Sequence, residues 1–414
     1  MGRAPTSAVM RDELFRAQWQ RALGYAPYEG AEIGECLAVA DQITSVDATV
    51  WYDRWHELAD RVHEAAVRSE TSGDIDAARA GFLRASNYYR SAGVFLLGAP
   101  VDERLRDTHR SEVAAFRRGV ALLGVPAEIV EIPFGSFRLP GYFLRPSRDG
   151  APRRTIVLTG GYDGTAEELY FTSGAAAVAR GYNVVAFDGP GQGSMIVDQG
   201  VPFLPDWESV VTPVVDWLLA RPDVDPARIA LMGLSFGGYL APRAATKEHR
   251  FAACISDCGP YDLFETAVAR IPGVLGRQLP HGNRIALGLL RRVLRIVMGK
   301  PTAGWALRRN VFVHGLTDPL EFFRIAPDYS LEGREAEITC PTLVCGAEHD
   351  DLSANAPRLY DALTCEKSYV QFLAADGAGD HCESGARPLF NQTAFDWLDT
   401  VMPESSVATS AAGA

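Results

Sequence analysis

One serine of this chain stands where a nucleophile would. The run Gly233-Leu234-Ser235-Phe236-Gly237-Gly238 follows directly on the apolar segment RIALMG and precedes the helical stretch YLAPRAATKE. A strand that turns sharply into a helix needs small residues about the turn, and a serine at its apex projects its hydroxyl clear of the backbone. A bare G-x-S-x-G arises by chance roughly 0.1 to 0.2 times in a chain this long, so the strand before it and the helix after it carry the assignment. A hydroxyl attacks poorly until a base takes its proton, and that base needs a carboxylate to orient it. Of the eight histidines, His381 alone lies in a loop just after the last apolar run, in DGAGDHCES, and it is the expected base. His249, His281 and His314 read as surface or lid residues, and His56, His63 and His109 fall in a helical N-terminal region. The orienting carboxylate is expected in GAEHDDLS, which offers Glu348, Asp350 and Asp351. His349 beside two aspartates raises a metal site, but no second histidine lies at ligand spacing, so neither metal nor cofactor is expected.

Attack on a carbonyl creates an oxyanion that backbone N–H groups must meet, one from the residue after the nucleophile and one from the loop after the third strand. Those are Phe236 and, in LTGGYDGTAEE, Tyr162 or its neighbour Gly161. The run Asp188-Gly189-Pro190-Gly191-Gln192-Gly193 lacks the Lys-Ser/Thr ending of a phosphate loop and reads as a turn beside the site.

Positioning these residues requires an ordered sheet. After Pro126 come eight short β-type runs: AEIVEIPF, FRLPGYFLRP, RTIVLTG, YNVVAFD, RIALMG, FAACISD, TLVCG and YVQFLAA. Several are unbroken apolar stretches, as strands covered by helices on both faces require, and helical stretches separate them. A mostly parallel, doubly wound α/β sheet over residues 126–402 is the expected solution. Residues 1–125 read as a helical N-terminal or cap domain, with the loop SETSGDID between two of its helices. About 261–338, between the sixth and seventh runs, reads as an inserted helical lid above the carboxyl ends of the strands. Its basic amphipathic stretch RIALGLLRRVLRIVMG is assigned to lid or dimer packing in preference to a membrane surface. The small, polar residues 403–414 read as a disordered tail.

Composition narrows the partners. The net charge is -12, which argues against a nucleic-acid surface, because phosphate binding needs clustered Lys and Arg. Seven cysteines, mostly inside apolar runs, read as reduced core thiols and not as a disulfide framework. The N-terminus carries no apolar signal-peptide core, and no apolar run approaches the roughly 18 residues of a membrane span. The expectation is a cytoplasmic protein that binds neither nucleic acid nor membrane.

Taken together, GGYDGTAEE, DGPGQG, GLSFGG, GAEHDD and GDHC, with the N-terminal FLRASNYYRSA, resemble the α/β-hydrolases, in particular the group that includes 2,6-dihydroxypseudooxynicotine hydrolase, fungal heptaketide chain-shortening hydrolases and fermentation/respiration switch proteins. The resemblance covers most of the chain and implies the α/β-hydrolase fold, with a helical N-terminal domain and an inserted helical lid over the pocket, and a homodimer. Its G-E-x-D pattern favours Asp350 over Asp351. Some members cleave a carbon–carbon bond beside a ketone with the same Ser, Asp and His, and one adds a glutamate near the lid, for which Glu265 in YDLFETAV is the nearest candidate. The expected function is therefore hydrolysis of a small ketone or polyketide-like metabolite through an acyl-enzyme on Ser235. The alternatives are ester, lactone or thioester hydrolysis, acyl transfer or elimination, and, from another class, a non-catalytic ligand-binding or regulatory pseudo-hydrolase. A hydrophobic or aromatic acyl substrate is expected to lie against Tyr88, Tyr89, Phe95 and Leu289, under a mostly apolar roof.

Overall fold

In the computed structural model, residues 7–269, 284–300 and 304–404 are described. Five long or medium helices open the chain: α1 (Glu13–Leu23), α2 (Ile33–Gln42), α3 (Ala48–Ser72), α4 (Ile75–Gly93) and α5 (Glu103–Ala121). Aspartates begin most of them. The side chains of Asp12, Asp47, Asp74 and Asp102 accept from first-turn N–H groups of α1, α3, α4 and α5 that no helical carbonyl can reach. The expected loop SETSGDID is much shorter than anticipated. α3 continues through Ser72, Gly73 closes it at φ 83°, and Asp74 already caps α4. A left-handed residue after a helix satisfies its last carbonyls in one step, so two residues suffice to reverse the chain. Trp51, Trp55, Tyr88 and Phe95 bury their rings between these helices and form a core separate from that of the sheet.

All eight β-type runs are strands: β1 (Ala127–Phe134), β2 (Phe137–Leu144), β3 (Arg153–Thr159), β4 (Asn183–Phe187), β5 (Val224–Leu234), β6 (Ala253–Asp257), β7 (Thr342–Ala347) and β8 (Lys367–Phe372). They form one sheet in the order β1-β2-β4-β3-β5-β6-β7-β8. β1 pairs antiparallel with β2, and β2 with β4, while every pair from β4 to β8 is parallel. The burial pattern follows this division. β4, β6 and β7 are buried at every position, whereas β1 alternates, as an antiparallel edge strand with one wet face does.

The segment between β6 and β7 carries, among the described residues, helices Leu263–Ala269, Arg284–Met298, Trp305–Val313 and Pro319–Ile325. In Arg284–Met298, Leu290 and Leu294 are buried, while Ile285 and Ile296 lie in the open. Trp305 ties this segment to the N-terminal helices: its ring packs on Phe95 at 5.7 Å and its Nε1–H donates to the Val94 carbonyl at 2.9 Å. His281 and the tail beyond Glu404 lie outside the described residues. Among the described residues no helix is long and apolar enough to cross a membrane.

Candidate active site

β5 ends at Leu234 and the chain turns at once into the helix Gly237–Ala245, which leaves Ser235 at φ 61°. A non-glycine residue in that region is strained, and its neighbours must hold it there. They do so by close approach. A Cβ on Gly233 would sit 1.8 Å from the Gly237 carbonyl oxygen, so only glycine allows the turn to close. The Ser235 N–H donates to the Asp257 carbonyl at 2.9 Å, and the Ser235 carbonyl accepts from Gly238 at 2.8 Å.

The other chemistry-bearing groups arrive from neighbouring strand ends. His381 Nε2 lies 2.8 Å from Ser235 Oγ, and its Nδ1 lies 2.8 Å from Asp350 Oδ2. Asp350 follows β7 and is the acid that reaches the ring; Asp351 beside it is exposed. Burial alone would raise the Asp350 carboxyl, but the His381 ring and the Leu352 N–H hold it below its ordinary value. Burial likewise opposes charge on His381, but the Cys382 thiolate, itself favoured by the neighbouring His381 and Arg387, and the Asp350 carboxylate outweigh it and push the imidazole well above its usual value. The ring's accessible surface opens into the cavity described below.

The loop after β3 packs directly on the serine. A Cβ on Gly161 would stand 2.8 Å from Ser235 Cβ and 2.9 Å from its Oγ. Among the described residues, the backbone N–H groups of Phe236 and Tyr162 donate to no protein acceptor. Their rings are stacked with centroids 4.2 Å apart and planes within 8°, which fixes one N–H relative to the other. Tyr162 also meets His314 Nε2 through its hydroxyl at 3.1 Å. His314, read from sequence as a surface or lid residue, is only 6% exposed, and burial lowers it to about 3, so the ring that meets the Tyr162 hydroxyl is neutral. The DGPGQG turn braces the same loop, since Gln192 Nε2 donates to the Gly160 carbonyl at 2.6 Å and Asp188 accepts from Ala166 N at 2.7 Å.

A cavity of about 470 Å³ opens over Ser235 and His381. Its walls come from α1, through Arg16, Ala17 and Arg21, and from the inserted helices, through Leu263, Trp305 and Arg309. None of the four residues expected to touch substrate lines it. Tyr88 is fully buried with its hydroxyl on Glu35, Phe95 packs on Phe15 and Trp51, and Tyr89 turns its hydroxyl to Asp60. Leu289 is 56% exposed on the outside of its helix. Aromatic side chains on amphipathic helices find one another first, because mutual burial of rings needs no ligand.

Glu265 is also misplaced for chemistry. Its carboxylate pairs with Arg358 at 2.9 Å and is half exposed, while Leu263, Thr266 and Ala267 of the same helix face the cavity. Because residues three and four apart share a helix face, Glu265 points away from it. Glu265→Gln is thus expected to leave ester and ketone turnover within about twofold, since an exposed ion pair is worth little. Steady-state kinetics on both substrates check this, and a selective loss of ketone turnover would restore the residue to the site.

Among the described residues, two groups of ligating atoms sit beside His381: Cys258, His381 and Cys382, and Asp257, Cys258 and Glu383. Both are committed to other contacts, the first through His381 to Ser235 and the second through Asp257 and Glu383 to Arg387.

Comparisons with known proteins identify the family and the fold. A model of the alpha/beta hydrolase family matches residues 139–390. The hydrolase acrC of Aspergillus aculeatus is 36% identical over 415 residues, covering 94% of this chain and 96% of that one. The 20-hydroxy-prefusarin hydrolase of Gibberella moniliformis is 34% identical over 411 residues, covering 95% and 97%. The crystal structure of the 2,6-dihydroxy-pseudo-oxynicotine hydrolase superposes with a TM-score of 0.72 at 24% identity, over 92% of this chain and 96% of that one, and so shares the fold. With an eight-stranded sheet, a serine at the turn after β5 and relatives matched along nearly their whole length, this chain belongs to the alpha/beta hydrolase family.

Proposed function

We propose that this protein is a serine hydrolase that cleaves a small ketone or polyketide-like metabolite through an acyl-enzyme on Ser235. The observation that carries the reading is the unbroken relay from Ser235 Oγ through His381 to Asp350 at 2.8 Å per step, at the floor of a cavity closed by two sets of helices.

Ser235 Oγ attacks the substrate carbonyl while His381 Nε2 takes its proton, and Asp350 steadies the imidazolium that results. The oxyanion lies between the N–H of Phe236 and that of Tyr162 or Gly161. Each such donor removed typically costs about 10² to 10³ in rate. As the tetrahedral species collapses, the bond to the leaving carbon breaks and that carbon receives the proton held on His381. Water, deprotonated by His381, then attacks the acyl-serine and releases the acid. With Glu265 directed away, His381 is the proton donor for the leaving carbon. Ester, lactone or thioester cleavage runs through the same steps with an easier leaving group, and acyl transfer requires only that an alcohol replace the water.

A fluorophosphonate probe is expected to label the native protein and not Ser235→Ala, with the tag recovered on the peptide containing Ser235. Failure to label the native protein would sink the nucleophile assignment and leave a ligand-binding protein. Among substrates, turnover of an aryl 1,3-diketone is expected beside that of a p-nitrophenyl ester, and ester turnover alone across a ketone panel would favour the esterase reading.

A further inference from the structure

One wall of the cavity holds a charge network that the steps above do not use. Arg21 donates through Nε to Glu168 at 2.7 Å and through Nη1 to Asp163 at 3.1 Å. Arg309 Nη1 donates to the same Asp163 oxygen at 3.3 Å, and Arg90 Nη1 lies 3.4 Å from Glu168. Tyr25 adds a neutral hydroxyl on Glu168 at 2.6 Å. Both carboxyls are buried, which alone would raise them, but the arginines hold each below its ordinary value, so both are ionised. A guanidinium keeps its proton in proteins. Three cations therefore face two anions, and the network carries one positive charge in surplus.

Arg90 is short of partners too, with Nε and Nη1 in no hydrogen bond among the described residues, but the underpartnered cation that lines the cavity over Ser235 is Arg309. It shares its one carboxylate oxygen with Arg21, and among the described residues no hydrogen bond engages its Nε. Its guanidinium lies over the Trp305 ring at 4.3 Å, which fixes the plane of the fork without supplying a counter-charge. A guanidinium held partly out of water with only a shared counter-ion attracts a further anion more strongly than one in bulk water does. Arg21, Asp163 and Arg309 all line the cavity over Ser235, and Asp163 follows Tyr162 of the proposed oxyanion loop.

We propose that the cavity takes an anionic acyl compound, the enolate of a 1,3-dicarbonyl or a carboxylate, and that Arg309 anchors its delocalised oxyanion. The inference rests on the hydrolase reading for the identity of this cavity as the substrate site. It deepens that reading, because once the bound enolate takes a proton from water at the carbon between its two carbonyls, the neutral 1,3-diketone that results is the ketone whose C–C bond a serine nucleophile cleaves most readily. Its leaving fragment departs as an enolate that the neighbouring carbonyl stabilises.

Calorimetric titration with 3-phenylpropanoate and its uncharged amide tests the anchor without any turnover. The native protein is expected to prefer the carboxylate by at least about tenfold, as charge-assisted pairing to a guanidinium allows. Arg309→Gln is expected to bring the ratio below about threefold and Arg309→Lys to restore part of it. The ratio is read within each variant, so a general loss of affinity cancels. Titration with 1-phenyl-1,3-butanedione across its enol ionisation separates the two sources: tightening as the enolate forms supports the dicarbonyl, and tight carboxylate with no such change supports the carboxylate. No preference in the native protein, the same preference in Arg309→Gln, or no binding of any of the three ligands would overturn the proposal. A carboxylate preference in a protein whose Ser235 resists the fluorophosphonate would instead retain the anion site and refute the hydrolase reading.

Discussion

Asp350→Asn is expected to lower kcat by about 10³ to 10⁴ while leaving the fold in place. The substitution keeps the side chain's shape but replaces an acceptor with a group that can also donate. His381 Nδ1 then accepts from the amide, its proton moves to Nε2, and Nε2 can no longer accept from Ser235 Oγ, which now lies 2.8 Å away in line for transfer. A second readout follows from charge. Hydrolysis needs the neutral imidazole, so kcat/KM rises with pH as His381 loses its proton. In the native protein burial favours that loss, but Cys382 and Asp350 oppose it and place the rise above the ordinary histidine value. Removing the carboxylate destabilises the imidazolium, so the residual activity of Asp350→Asn should rise at lower pH than native activity does. A pH profile and a circular dichroism melt on the same preparation measure both effects. If Asp351→Asn behaves this way and Asp350→Asn does not, the orienting acid is misassigned.

The parts of the fold that could be read beforehand are those in which local pattern and tertiary environment agree. β4, β6 and β7 appear as unbroken apolar runs because helices cover both of their faces, and the serine turn is visible because Gly233 admits no side chain. The walls of the cavity were not visible for the opposite reason. Arg21 and Asp163 stand 142 residues apart, and Asp163 and Arg309 stand 146 apart, so each reads alone as a solvated surface charge. Their mutual pairing, and the cavity they line, exist only after α1 and the helix Trp305–Val313 dock over the sheet. The aromatic residues of α4 and after it misled in the other direction. Phe95 looked like a substrate contact, yet Phe15, Trp51 and Trp305 already enclose its ring. Glu265 was placed by its neighbourhood in the sequence, which brings the right helix to the cavity but cannot fix which side of that helix faces it.

Arg387→Met is expected to destabilise the protein by about 3 to 5 kcal/mol near neutral pH, the usual cost of removing one partner from a buried ion pair. Arg387 is only 2% exposed and lies between two fully buried carboxyls, with Nη1 at 3.2 Å from Asp257 and 3.3 Å from Glu383. The same nitrogen donates to the Cys382 carbonyl at 2.8 Å and so braces the turn that carries His381, where Cys382 and Glu383 hold φ of 50° and 46°. Burial already pushes Asp257 up to about 7 and Glu383 well above its ordinary value, even with the guanidinium present to oppose it. Without that cation both carboxyls rise further. Carboxyls raised in the folded state bind protons there that the unfolded chain has released, so stability falls as pH climbs past their unfolded values near 4. The penalty of Arg387→Met should therefore be largest at pH 8 and shrink toward pH 5, where protonated Asp257 and Glu383 no longer need a counter-charge. Urea unfolding of the native and variant proteins at both pH values measures the difference. An equal penalty at the two pH values would mean that Arg387 acts through packing alone. Activity separates the same two roles: if the arginine holds the His381 turn through the Cys382 carbonyl, kcat of the folded variant falls while KM changes little, whereas a purely structural role leaves kcat per folded molecule unaltered.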